Sequence, residues 1–325
     1  MIDARRHEDP VRRRIEALGT SMSLPTVARA LGVLEGEHRS PRRGGTDDLL
    51  DVRAYEIGDE ARQIDWKISA RSGRTMVVQR ERRVSSRVHL LMDAGREMTA
   101  TCPSGEHAYA VAANALCMFA ALTLRRSDDV SLVLGDASRI TRVPFHGGFA
   151  QFERTIDEAS ERSWSHPRNL GALLDYAVRL RDRDALVVLA TADGAVGDGE
   201  LRRIRRIAQT HPFVLIDVAT VNPFAAEPVA SRRGSRVVDG VSGRRVPAFL
   251  TRRALADEVA THRAYRVSAL RQELSRAGAR LIHADSSEAM FHDFVRLISL
   301  SCLGSPGARS HLRAGATAPR KEVSV

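Results

Sequence analysis

After residue 87 the chain carries five short apolar runs, and they restrict its architecture more than any other feature: VHLLMD (88–93), VSLVLG (130–135), ALVVLATAD (185–193), PFVLIDV (212–218) and ARLIHAD (279–285). Each is too short for a core helix, rich in branched aliphatics and continuous instead of alternating. That is the pattern of a strand covered on both faces. Between and after them lie segments with helical spacing: the Ala-rich 108–124, then 148–161, 170–181, 198–210, 251–277 and 286–302. Strands alternating with helices predict an α/β protein with a doubly wound, mainly parallel sheet. SRITRVPF (138–145) follows VSLVLG across Gly135-Asp136 and is expected to be its hairpin partner. In such a sheet the ligand crevice lies beyond the carboxyl ends of the strands. Asp93, Asp193 and Asp217 all fall there.

The texture before residue 88 differs. Residues 10–35 have helical spacing, SPRRGGTDD (40–48) reads as loop, and 49–56 and 75–84 are strand-like. The expected organisation is a helical or flexible segment over 1–39, a distinct region over 40–87, the α/β domain over 88–303 and a disordered small-residue tail over 304–325. The N-terminal region is thus smaller, with mixed helix and strand. Residues 222–247 form a long Arg- and Gly-rich connection.

Composition narrows the function. Apolar residues make up 43% and charged residues 28% of the 325, as in an ordinary globular protein. The formal charge is +10, but only Lys67 and Lys321 among the 50 basic residues are lysine. The positive charge is spread along the chain, whereas phosphate binding needs a clustered patch, which disfavours nucleic acid. Cys102, Cys117 and Cys302 have no CxxC or His-Cys spacing and are expected to be reduced thiols. The N-terminus lacks the apolar stretch of a signal peptide, and the run 108–124 is too short and Ala-rich to span a bilayer. A cytoplasmic protein without a membrane span is predicted. No Walker A sequence occurs, His146 and His166 have no spaced acid or nucleophile, and DGAVGDGE (193–200) lacks the EF-hand spacing.

The densest cluster of functional residue types is YEIGDEARQIDWKISAR (55–71). Asp59 after Gly58 is a candidate N-cap for a short helix with Ile64 and Ile68 on its buried face. Arg62 would pair with Asp65, and Lys67 would neighbour Arg71. No His or Cys lies nearby and Ser69 has no activator, so a structural latch or partner contact is favoured over catalysis. The alternative is a hydrolase-type enzyme using Asp59, Asp65 and Arg71; another is an Arg-dependent nucleic-acid binder.

The string from Ser40 to Arg83, ahead of a strand ending in Asp93, resembles a bacterial family known as domain of unknown function 58. Its signature R-x-Y-x-x-G-D-x-x-R-x-I-D-W-x-x-S-A-R is matched by Arg53, Tyr55, Gly58, Asp59, Arg62, Ile64, Asp65, Trp66, Ser69, Ala70 and Arg71. With the strand and helix order downstream, the resemblance covers about 40–302. It implies a von Willebrand A-like fold, similar to domains of integrins and of cobalt- and magnesium-chelatases. It also implies an adaptor role beside a MoxR-type AAA+ ATPase, acting on a client protein in assembly or maturation, with no defined enzymatic activity.

Von Willebrand A domains often hold Mg²⁺ in a metal-ion-dependent adhesion site: D-x-S-x-S in the first loop, Thr in the second and Asp in the third. Here Asp93 is retained, Gly95 and Glu97 stand at the serine positions, Arg168 aligns with the threonine and Asp193 matches the last acid. A guanidinium aimed at Asp93 and Asp193 would take the cation's place, giving a degenerate site that needs no metal. The alternative is that Arg168 turns to solvent and Asp93, Glu97 and Asp193 still hold an Mg²⁺ ion through hard oxygen ligands.

Overall fold

The computed structural model describes residues 10–21, 47–55, 64–82, 87–124, 129–162, 164–182, 185–225, 238–239, 244–250 and 252–303. They group into two compact units: the residues from 47 to 82, and all the others. In the larger unit the five apolar runs become β3 (Arg87–Asp93), β4 (Asp129–Gly135), β6 (Leu186–Ala192), β7 (Phe213–Val218) and β8 (Arg280–Ala284). Together with β5 (Ile140–Val143) they form a six-stranded sheet of order β5-β4-β3-β6-β7-β8. All pairs are parallel except β4-β5, which closes as an antiparallel hairpin with Gly135 opposite Ile140. Asp136 shapes that turn, its Oδ1 accepting from the amides of Ser138 (2.8 Å) and Arg139 (3.1 Å).

Helices cover both faces, so this is a doubly wound α/β sheet. Period-two alternation sends Val88, Leu90 and Met92 to one face and Leu91 to the other. The first face packs on α1 (Pro10–Ser21), α3 (Ala108–Leu124), α4 (Phe149–Ser160) and α8 (Ser287–Leu303). The second packs on α5 (Leu170–Val178), α6 (Asp198–Ala208) and α7 (Arg253–Arg276). The smaller unit holds β1 (Asp47–Ala54) paired antiparallel with β2 (Met76–Arg82), and the short helix α2 (Trp66–Ser72).

Among the described residues, no helix is long and apolar enough to cross a membrane. The apolar run 108–124 is α3, in which only Tyr109, Ala110 and Leu124 escape full burial. A helix that is apolar all round must be covered all round, and α1 supplies the outer cover. Thus Pro10–Ser21, expected within a separate N-terminal segment, belongs to the compact unit of the sheet. Val11 and Ile15 of α1 enter the core. A Cβ on Gly19 would lie 2.8 Å from the Ala121 carbonyl oxygen, so the helices meet there backbone to backbone.

The α1 seat is also polar. Arg12 donates through Nε to Asn114 Oδ1, through Nη1 to Cys117 Sγ (2.7 Å), and pairs through Nη2 with Asp157 Oδ1 (3.1 Å). Glu153 stands at 3.5 Å from Nη1. Burial, together with the neighbouring acids, holds the Glu153 carboxyl above its usual range although Arg12 pulls it down. Burial also pushes the thiols of Cys102 and Cys117 up to about 12, making both inert at neutral pH. Removing the guanidinium would take one donor from these acids and from Asn114. Arg12→Ala is expected to cost about 3 kcal/mol, seen as a lower urea midpoint with unchanged slope.

Candidate functional site

The chain order of the strands reverses between β3 and β6: β3 leads outward to β4 on one side, and β6 to β7 on the other. Such a switch point opens a crevice at the carboxyl edge. Asp93 sits there at the end of β3, only 1% exposed. Its Oδ1 accepts from the Gly95 amide (2.9 Å) and its Oδ2 from the Thr191 hydroxyl of β6 (2.8 Å). The Arg168 Nε lies 3.3 Å from Oδ2. Burial pushes the Asp93 carboxyl up, and Arg168 with the two hydrogen bonds offsets that only in part, so its pKa stays raised. This is a carboxylate that needs its cation.

The loops around Asp93 are built to bring Arg168 to it. Arg168 donates its amide to Glu97 Oε2 (2.9 Å), Arg96 donates its amide to the His166 carbonyl (2.8 Å), and Ala137 donates to the Pro167 carbonyl (2.9 Å). A Cβ on Gly95 would lie 2.5 Å from the Arg168 backbone, so a serine at this position could not coexist with the loop. His166 contributes its carbonyl, and His146 is exposed on another loop.

Arg168 does not, however, reach both acids as its sequence position suggested. Asp193 pairs with Arg263 of α7, Nη1 to Oδ2 at 3.3 Å, and accepts from the Thr220 hydroxyl at 2.6 Å. Glu97 is engaged with the Arg168 backbone instead of turning to Asp93. Among the described residues, no three His, Cys, Asp or Glu side chains converge to hold a metal ion. Asp93 and Asp193 each stand against a guanidinium, which does not fit an added cation.

The same pairing recurs along the edge. Asp136 beyond β4 meets Arg162, and Asp217 on β7 accepts from His283 Nδ1 on β8 (2.8 Å). Burial alone would lower the His283 pKa, but the bond and charge of Asp217 outweigh it and raise it. A cavity of about 190 Å³ opens between the ends of β6 and β7 and α7, lined by Asp193, Asp217, Arg263 and Arg266 over Val196 and Leu270. Sequence reasoning missed Thr191, His283 and Arg263. A Thr within LVVLATA and a His within RLIHA are polar interruptions of buried strands and were a usable signal. Arg263 lies in a long exposed-patterned helix and left none.

The signature segment occupies the smaller unit. Asp65 caps α2: its Oδ1 accepts from the amides of Lys67 and Ile68, both at 2.9 Å, while the cap expected at Asp59 lies outside the described residues. α2 therefore begins at Trp66, and Ile64 lies before it, bridged to Val77 of β2. Ser69 donates to the Asp65 carbonyl (2.7 Å) and accepts from the Met76 amide (2.8 Å), tying helix to strand. Gly73 ends the helix at φ 67°, the left-handed cap position. Tyr55, Trp66 and Arg71 are exposed. Gly58, Asp59 and Arg62, with the side chain of Arg53, lie outside the described residues. Asp65 and Ser69 are thus engaged with backbone and not arranged as a nucleophile and its base.

The profile of the family described as "Protein of unknown function DUF58" matches residues 51–225, which span the signature helix and the strands through β7. The chain belongs to that family. The uncharacterized proteins Rv1480 of Mycobacterium tuberculosis and Mb1516 of Mycobacterium bovis are each 24% identical to it over 305 residues, covering 90% of both chains. An aerotolerance-related membrane protein from Bacteroides fragilis superposes with a TM-score of 0.43 at 13% identity, over 66% of this chain and 99% of that one. Proximal thread matrix protein 1 of the mussel byssus gives 0.37 at 14% identity, over 67% and 46%.

Two outcomes are expected for this DUF58 chain. Asp65→Ala removes the cap at a cost of about 1 kcal/mol, measured as faster hydrogen exchange at the Lys67 and Ile68 amides. For His283 the folded pKa is raised, so its stabilisation is fully present below the free-imidazole value of about 6.5 and is lost as pH rises through the folded value. The drop in melting temperature caused by His283→Gln should therefore be larger at about pH 6 than at about pH 8.5.

Proposed function

We propose that this DUF58 chain is a cytoplasmic protein-binding adaptor of the von Willebrand A-like kind, working beside a MoxR-type AAA+ ATPase in the assembly or maturation of a client protein. The observation that carries the reading is the Arg168–Asp93 contact at the switch point, 3.3 Å long and almost fully buried on the acid side. In the adhesion-site arrangement that the sequence resembles, a divalent cation would lie against this carboxylate. Here a guanidinium stands against it, and a second one holds Asp193. A face whose charges are balanced internally needs no metal to meet a partner, and recognition would rest on its fixed hydrogen-bonding groups and shape.

The chain has no Walker A sequence, so the ATPase in this reading is a separate protein. The engagement of Asp65 and Ser69 with backbone groups weighs against the hydrolase alternative.

Affinity recovery of the tagged protein from its host's lysate is expected to bring down an AAA+ ATPase in an amount that changes with ATP. Recovery of no protein partner with or without ATP would overturn the adaptor reading. Calorimetric titration with Mg²⁺ should give no saturable heat. A saturable signal abolished by Asp93→Ala would restore the metal site.

A further inference from the structure

We infer that the outward face of α2 is a docking surface for an acidic segment of a partner protein. The helix is seven residues long and buries none of its side chains completely. Yet it is held from all sides: Asp65 caps it, Ser69 ties it to Met76, the Asp65 amide donates to the Met76 carbonyl (3.0 Å), and Gly73 closes it. Hydrogen bonding of that density around a helix with no fully buried side chain fixes the backbone from which its outer side chains leave.

Those side chains form a patch of one kind. Trp66 is 71% exposed, although an indole is ordinarily among the more buried groups. Around it Lys67, Ala70, Arg71 and Arg74 are all exposed. At helical spacing Trp66 and Ala70 share one row, and Lys67 and Arg71 share the next. Elsewhere Arg12, Arg87, Arg168, Arg203 and Arg263 each meet an acid. Lys67, Arg71 and Arg74 take part in no ion pair among the described residues. Asp65 forms no ion pair with them, its Oδ1 being turned to the Lys67 and Ile68 amides.

A bare indole on a helix that also presents Lys67 and Arg71, without ion pairs among the described residues, complements a chain that brings carboxylates for the cations and an apolar side chain for the ring. A polynucleotide is served less well. A single indole cannot stack successive bases, and a helix about 10 Å long spans few phosphates. The surface goes beyond the adaptor reading and does not depend on it, since it states the chemistry of the bound segment whichever ATPase, if any, is involved.

The test is photo-crosslinking of the full chain carrying p-benzoylphenylalanine in place of Trp66, in its own host cells, with the captured peptide sequenced. An Asp- and Glu-rich segment of another protein is expected. A synthetic peptide of that segment should bind the purified chain about thirtyfold more weakly after Trp66→Ala. The Lys67→Gln/Arg71→Gln variant should weaken it about tenfold, and added salt should weaken it further. Melting temperatures should not move. Capture of nucleic acid, of a neutral or basic segment, of another part of this chain, or of nothing would overturn the proposal. A lowered melting temperature for Trp66→Ala would do the same, by making Trp66 a structural contact. ATP-dependent recovery of an ATPase is read separately, so either idea can fail alone.

Discussion

A carboxylate 1% exposed at the end of a central parallel strand is a severe constraint, and Asp93 imposes it on everything around the switch point. Removing a charge from water costs several kcal/mol unless a partner and hydrogen bonds replace the solvent. Three groups do so: the Gly95 amide, the Thr191 hydroxyl and the Arg168 guanidinium. Each dictates a local feature. Gly95 must lack a side chain so that the Arg168 backbone can approach, Glu97 must accept the Arg168 amide, and β6 must carry a hydroxyl at an otherwise apolar position.

The same solution repeats outward along the sheet. Asp136 with Arg162, Asp193 with Arg263 and Asp217 with His283 give the ends of β4, β6 and β7 each an acid and a basic partner, delivered by a loop, a helix or the next strand. The carboxyl edge is therefore polar, balanced and fixed. The smaller unit is governed by another rule. Its helix is fixed by backbone hydrogen bonds to Asp65 and Ser69, and its aromatic and basic groups are left facing solvent.

Much of this was legible in the residues. The strands at 88–93, 130–135, 185–193, 212–218 and 279–285 were readable because both of their faces are buried, which leaves continuous aliphatic runs. The hairpin at Gly135-Asp136 was readable from its turn residues. That Asp65 caps α2 was not legible, because Asp59 and Asp65 are both good caps, and the start of α2 at Trp66 follows from the bridge of Ile64 to Val77. The partners of the buried acids were less accessible. Arg168 was found by its place in a loop that follows a family pattern, while Arg263 and His283 are 70 and 66 residues distant from the acids they meet, separations that no local pattern encodes.

By itself, then, the sequence determined the layered α/β sheet, the placement of acids at the strand ends and the family of the chain. These follow from apolar periodicity and from a dense local motif, both of which act over a few residues. Only the tertiary structure decided which cation neutralises which acid, that Arg168 serves Asp93 alone, and that α1 folds onto α3. Those outcomes depend on long-range contacts, where burial makes each charge seek the nearest donor that packing can bring to it.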